Sequence, residues 1–186
     1  VCHYVQTTGD TAVLEQRIAY LEGRPLQPGD ESVYDQPIVS TLEETLWLHC
    51  VKAIQHGLQF GQHGLPLMGA GDWNDGMNRV GIEGKGESVW LGFFLYDVLQ
   101  RFADLADQRA DGTIATLCRT KALFLQKKLE ASGWDGEWYR RGYFDGGEPL
   151  GSATSQDCQI DAIAQSWSVL SGAASAERSA RAMRSE

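Results

Sequence analysis

An all-α array is the fold class that the sequence predicts, and two observations carry it. Apolar residues recur at helical spacing in four separate stretches, and the segments joining them are loops of unequal length with a single hairpin-like exception. No fixed-period repeat and no low-complexity tract interrupts this pattern.

The elements follow in chain order. A short helix is expected over Thr11–Leu21. Between Ser40 and Phe60, Trp47, Val51, Ile54 and Leu58 share one helical face, and Ser40 with Glu43, or Thr41 with Glu44, offers a capping box at its start. A second helix is predicted from about Glu87 to Asp107, where Leu91, Leu95, Val98, Phe102 and Leu105 form a stripe that Trp90 and Phe94 widen until most sides are apolar. A third stripe, Ile114, Cys118, Ala122, Leu125 and Leu129, stops at Gly133. A fourth, Ile160, Ile163, Trp167 and Leu170, stops at Gly172, and each glycine suits a helix C-cap. Another short helix is expected from about Ser175 onward. Only Glu137–Phe144 ("EWYRRGYF"), flanked by the turn signals "WDG" and "DGG", reads as a small β-hairpin arm. Both ends read as cut from a larger domain: Val1 starts in what resembles the last turns of a helix, and the chain stops within a charged helix.

Composition narrows the function. With 42% hydrophobic residues in 186, the chain can build a core. A formal net charge of -9, scattered rather than in blocks, offers no basic face to a phosphate backbone, which argues against nucleic acid as a partner. No apolar run approaches membrane-spanning length, and the first residues lack the pattern of a signal peptide, so this piece is expected to be soluble. Cys2, Cys50, Cys118 and Cys158 lie far apart without metal-ligand spacing, and buried free thiols in a reducing compartment are favoured over disulfides. His3, His49, His56 and His63 likewise have no mutual metal spacing.

One segment stands out. Seven glycines between Gly64 and Gly86 make a regular helix or strand costly, yet Asp72, Trp73, Asn74 and Asp75 stand in consecutive positions among them. A long loop of this kind inside a compact domain is usually a working one. Three readings compete. Asp72, Asn74 and Glu83 occupy positions 1, 3 and 12 of a calcium-binding loop, but Gly76 and Met77 fall where a ligand and the required glycine belong. The polar side chains could instead satisfy backbone donors in turns while Trp73 plugs the core. Or the loop handles carbohydrate: an indole packs on the C–H face of a sugar, neighbouring groups bond its hydroxyls, and one carboxylic acid protonates a glycosidic oxygen.

The motifs resolve the choice by resemblance. "GAGDWNDGMNRVGIEGKGESVWL" closely resembles the inverting β-glycoside phosphorylases of glycoside hydrolase family 94, such as the cellobiose and chitobiose phosphorylases. The resemblance is strongest to the phosphorylase-like C-terminal domain of bacterial cyclic β-1,2-glucan synthases. "HYVQTTGD", "WDGEWYRRGYFDGG" and "QIDAIAQSWSVLSGA" look like further stretches of the same family, so the resemblance covers essentially the whole chain. It implies an (α/α)6 barrel, of which residues 1–186 would form part of a single catalytic domain truncated at both ends.

In that family the aspartate two residues after the motif tryptophan is the general acid, and in this sequence that position is Asp75. Trp73 matches a residue lining the donor-sugar subsite. Asp72 and Asn74 match motif positions that shape the loop, and they join Gln165, a polar residue in an otherwise apolar helix, among the substrate-binding candidates. Trp134, Trp138, Tyr139 and Tyr143 suit a sugar cleft and a packed hairpin equally, and of Arg140 and Arg141 at most one would face ligand. The resemblance implies no cofactor and no metal, with inorganic phosphate as co-substrate and a β-glucan oligosaccharide and glucose 1-phosphate as partners. It further implies a cytoplasmic domain whose parent can be anchored in the bacterial inner membrane. A chain of this length, lacking the rest of a barrel, is expected to self-associate and to be inactive alone.

Overall fold

The twenty residues Val89–Gln108 ("VWLGFFLYDVLQRFADLADQ") form the longest helix, and their apolar positions bury more than one face. Such a helix must sit inside its domain. A computed structural model describes residues 1–25, 27, 33–69 and 71–185 and, among these, every side chain but that of Asp75. The chain divides into two compact units, Val1–Gly57 and Leu58–Glu186.

The first unit contains α1 (Cys2–Thr8), a 3-10 turn (Ala12–Glu15), strands β1 (Arg17–Glu22) and β2 (Ile38–Thr45), and α2 (Leu46–Gly57). β1 and β2 pair antiparallel, with Arg17 opposite Thr45 and Glu22 opposite Ile38. This corrects two expectations. Thr11–Leu21 is a 3-10 turn followed by a strand rather than a helix, and the chain from Ser40 to Thr45 is strand, with α2 beginning only at Leu46. Ile18, Tyr20, Ile38, Val39 and Thr41 are β-branched or aromatic and favour a pleated ribbon. The expected capping boxes are replaced by other bonds. The Ser40 hydroxyl accepts from the Leu42 amide, the Glu44 carboxylate accepts from the Tyr20 hydroxyl and pairs with Lys52, and the Thr45 hydroxyl accepts from the Leu48 amide at the start of α2. Trp47, Val51 and Ile54 are buried as their spacing predicts, with Val5 and Leu14.

The second unit is built on α3 (Val89–Gln108), which packs along α4 (Gly112–Lys128) and against α5 (Ala162–Leu170), while α6 (Ala176–Ser185) packs on α5. Ser88 caps α3 by accepting from the Leu91 amide, Asp111 caps α4 by accepting from Ile114, and Asp161 caps α5 by accepting from Ile163. α4 runs into a π-helical turn, Leu129–Gly133, and leaves it at Gly133 as expected, though without the left-handed cap seen at Gly172 (φ 68°). The buried face of α5 carries Ala164, Gln165 and Ser168. The predicted stripe is offset from it: Ile163 and Trp167 are half-buried and Leu170 is 67% exposed.

A three-stranded antiparallel sheet, in the order β3 (Glu87–Ser88), β4 (Gly142–Tyr143) and β5 (Pro149–Leu150), joins the glycine-rich loop to the later turn. The predicted hairpin is therefore present but short. The fold is predominantly helical with two small antiparallel sheets, rather than all-α.

Candidate functional site

The loop from Gly61 to Gly86 has little regular structure of its own, and carboxylates at three points hold it. At its start, the buried Glu87 carboxylate accepts from the amides of Leu65 (2.9 Å) and His63 (3.1 Å) and lies 2.5 Å from His63 Nδ1. The His63 ring stacks on Tyr143 with centroids 3.7 Å apart. At its end, the Asp145 carboxylate accepts from three amides, Glu83 (2.9 Å), Lys85 (2.8 Å) and Gly86 (2.9 Å). Burial pushes the Asp145 carboxyl up, but those three amides outweigh it and hold the group below its ordinary value.

The middle clamp lies within the motif. Asp72 makes a two-pronged ion pair with Arg141, Nη1 to Oδ2 and Nη2 to Oδ1 both at 2.6 Å, and neither side chain is exposed to solvent. Ser88 Oγ donates to Asp72 Oδ2 at 2.7 Å, and the Asn74 amide donates to Oδ1 at 3.1 Å. Burial pushes the Asp72 carboxyl up, yet Arg141, Ser88 and the Asn74 amide prevail and keep it below its usual value. Asp72 is therefore held as a carboxylate, with its charge balanced by Arg141.

Around this anchored residue the other candidates differ in setting. Trp73 is 73% exposed, and its ring centroid lies 6.4 Å from that of Trp90, which stacks on Phe94 and meets Trp167 edge-on. Asn74 is exposed, and Asp75 opens the 3-10 turn Asp75–Met77. The Asp75 side chain lies outside the described set. Gln165 is fully buried, with its amide engaged by the backbone of Tyr139 and Asp161. The structure thus brings Asp72, Trp73 and Asn74 together by sequence adjacency and gives Gln165 a different setting.

The turn from Asp135 to Gly147 is bonded to the loop through Asp145, Arg141 and the β3–β4 pairing. Of the aromatic residues there, Tyr139 is buried, donating its hydroxyl to Glu130 at 2.7 Å, and Trp138 donates its indole N–H to the carbonyls of Gly151 and Gln159. Burial, then Glu130, pushes the Tyr139 phenol far above its ordinary value. Arg140 pairs with Asp135 at 2.5 Å. Sequence reasoning missed Arg141 as the partner of Asp72: the two stand 69 residues apart, and no local pattern joins them.

The calcium reading loses a key ligand to this arrangement, because Asp72 is committed to Arg141 and Ser88. Among the described residues no group of three or more His, Cys, Asp or Glu side chains is placed to hold a metal ion. Cys118 is buried, and Cys2, Cys50 and Cys158 are half-buried. No helix among the described residues is long and apolar enough to cross a membrane.

A helical scaffold that holds a tryptophan out on a carboxylate-bearing loop has the equipment of a carbohydrate-active enzyme. The chain belongs to the glycosyl hydrolase 94 superfamily, whose catalytic domain matches residues 1–186. It is 44% identical over 98% of its length to the cyclic beta-(1,2)-glucan synthase NdvB of Rhizobium meliloti (strain 1021), and 36% identical over 97% of its length to a solabiose phosphorylase of Paenibacillus borealis. A 3-O-beta-D-glucopyranosyl-beta-D-glucuronide phosphorylase of Paenibacillus borealis is 36% identical over 72% of the chain. The aligned region spans 6% of the glucan synthase and 21% and 18% of the two phosphorylases.

Proposed function

We propose that this chain is part of an (α/α)6 catalytic barrel that cleaves β-1,2-glucan by inverting phosphorolysis, trimming the polymer and so setting its length before cyclisation. The observation that carries the reading is the 44% identity to a cyclic beta-(1,2)-glucan synthase across nearly the whole chain, with the Asp72–Asp75 motif displayed on an anchored loop. The α3/α4 and α5/α6 helix pairs supply part of the two rings.

In this reading Asp75 is the general acid. It donates its proton to the departing glycosidic oxygen while phosphate attacks the anomeric carbon from the opposite face. An inverting hydrolase needs a second carboxylate to activate water, whereas phosphate arrives as an anionic nucleophile, so one acid suffices. In reverse, the Asp75 carboxylate takes the proton of the acceptor hydroxyl as glucose 1-phosphate is consumed. Trp73 supplies an apolar wall for the sugar, and Asn74 offers its exposed amide beside it. Asp72, compensated by Arg141, is committed to the loop clamp, which leaves the acid role to Asp75. The buried Gln165 supports Tyr139 rather than touching ligand.

The test is an assay of the full-length protein with β-1,2-glucan and inorganic phosphate, with solabiose and cellobiose as comparators. Release of glucose 1-phosphate from β-1,2-glucan in preference to the others is expected. The 36% identity to a solabiose phosphorylase motivates the second reading, a free-standing oligosaccharide phosphorylase, which preferential release from a disaccharide would establish instead. A full-length protein that binds oligosaccharide and releases no sugar phosphate from any of them would be a non-catalytic module.

A further inference from the structure

We infer that Arg141 is a positioning residue for the acid-bearing loop: its buried guanidinium, rather than the glycine-rich backbone, sets where Trp73 and Asp75 stand. The inference deepens the phosphorolytic reading and rests on it for its kinetic test alone.

The backbone around the motif is poorly constrained by its own bonds. Gly69 and Gly71 have φ of 62° and 151°, and the backbone hydrogen bonds nearby are local turns: Gly71 to Met68, Met77 to Asn74 and Val80 to Met77. Backbone bonds tie the two ends of the stretch, the Met68 amide to the Gly86 carbonyl at 2.8 Å and the Asp145 amide to the Val80 carbonyl at 3.0 Å; at the motif itself the Asp72 carboxylate bonds to the scaffold, and the group that receives it is rigidly mounted. The Arg141 amide donates to the Leu150 carbonyl at 2.8 Å, and its carbonyl accepts from the Val89 amide at 3.1 Å, fixing its backbone between β5 and the first residue of α3. A Cβ on Gly151 would lie 2.6 Å from Arg141 N and 2.9 Å from its Cβ, so the neighbouring chain closes over it.

The guanidinium gathers two helix ends. Nη1 also donates to Ser88 Oγ at 3.2 Å, the same oxygen that caps α3 and donates to Asp72. Nε lies 3.4 Å from Oδ2 of Asp161, the cap of α5. The cap of α3 is hydrogen-bonded to this planar fork and the cap of α5 adds a charge beside it, and the fork holds Asp72 in both distance and rotation, which a single charge on a flexible stem does not do. Trp73 follows Asp72 directly and Asp75 stands three residues on, so rotation at Asp72 moves both. The fit of two parallel bonds of 2.6 Å is that of a mount for the loop and goes beyond charge neutralisation.

The experiment uses the full-length protein with Arg141→Lys, which keeps the charge and loses the fork, and Asp72→Asn, which keeps the size and the Ser88 bond and loses the charge. Two readouts are taken. Hydrogen exchange of peptides covering 69–81 should rise in both variants while peptides from the middle of α3 and α4 keep their protection. In phosphorolysis, kcat should fall by roughly a hundredfold, the cost of about 1 Å of misplacement of a reacting group, with KM changing far less. Unchanged exchange across 69–81 in both variants overturns the inference whatever the activity. A rise spread evenly over the whole domain, with kcat per folded molecule unchanged, overturns it in favour of a purely structural ion pair. If the unsubstituted protein releases no sugar phosphate, the phosphorolytic reading fails and the exchange measurement alone decides the role of Arg141.

Discussion

Gln165 grips the peptide groups of Tyr139 with both ends of its amide: Oε1 accepts from the Tyr139 N–H at 2.9 Å, and Nε2 donates to the Tyr139 carbonyl at 2.7 Å and to the Asp161 carbonyl at 3.1 Å. All of these groups lie at a buried junction between α5 and the hairpin that carries Arg141. Gln165→Leu would strand the Tyr139 amide and carbonyl at about 1–3 kcal/mol for each unsatisfied group. Urea unfolding should show a lower midpoint with an unchanged slope, while KM for glucan stays near that of the unsubstituted protein. A raised KM with an unmoved midpoint would make Gln165 a ligand contact instead.

The loop clamps also set an acid limit. Asp72 and Asp145 both titrate below their unfolded values, so each contributes stability that is fully present above the unfolded pKa and lost as pH falls through the lower folded value. Unfolding free energy should be flat above about pH 5 and decline as pH drops below about 4, the ordinary range for aspartate. Asp145→Asn should lower stability at neutral pH and flatten part of that decline. A variant with an undiminished acid slope would show that the three amides facing Asp145 do not shift it.

Glu87 offers a sharper structural test because it is almost completely buried and both its oxygens are engaged. Glu87→Gln replaces one acceptor by a donor that in either orientation faces the His63 amide, which both Glu87 oxygens accept from. A loss of about 1–3 kcal/mol is expected for a buried donor left unmatched, read as the denaturant midpoint. Exchange should rise first in residues 61–66, because these amides lose their acceptor. Stability close to that of the starting protein would contradict the hydrogen-bond assignment.

An exposed apolar groove of about 440 Å³ runs between α5 and α6, lined by Val169, Ala176, Ala180 and Met183 among others, and Leu170 beside it is 67% exposed. As an isolated chain of 186 residues the protein should therefore self-associate. Sedimentation should show mass rising with concentration, and Val169→Glu or Met183→Glu should return it toward the monomer. A concentration-independent monomer would contradict this expectation.

Much of the second unit was legible in the sequence because its helices are long and strongly periodic. α3 starts two residues after its expected start, α4 holds Ile114, Cys118, Ala122 and Leu125 of the predicted stripe, and the loop between Gly64 and Gly86 announced itself by its glycines. The β1/β2 ribbon was not legible. Leu42, Glu43 and Glu44 follow Ser40 and Thr41 in an order that fits a capping box, while the signal for strand, the run of β-branched Ile38, Val39, Thr41 and Thr45, needs the partner strand to be decisive. α5 misled in another way: its apolar stripe gave a helix correctly, but its buried face is the one that carries Gln165. At the site, the local motif gave the residues and could not give their partners. Asp72 and Arg141, Glu87 and His63, and Asp145 with Gly86 are non-local pairs created by the fold.

The phosphorolysis proposed for this loop rests most directly on Asp75. Asn has the size of the acid and no transferable proton, so Asp75→Asn in the full-length protein should leave the loop clamps and sugar affinity nearly intact. Release of glucose 1-phosphate from β-1,2-glucan should fall by roughly the 10²- to 10⁴-fold typical of general acid catalysis. Trp73→Ala should instead raise KM, by removing an apolar wall worth on the order of 1–3 kcal/mol. An Asp75→Asn protein that turns over at the rate of the unsubstituted one would contradict both the assignment of the acid and the catalytic purpose of the loop that carries it.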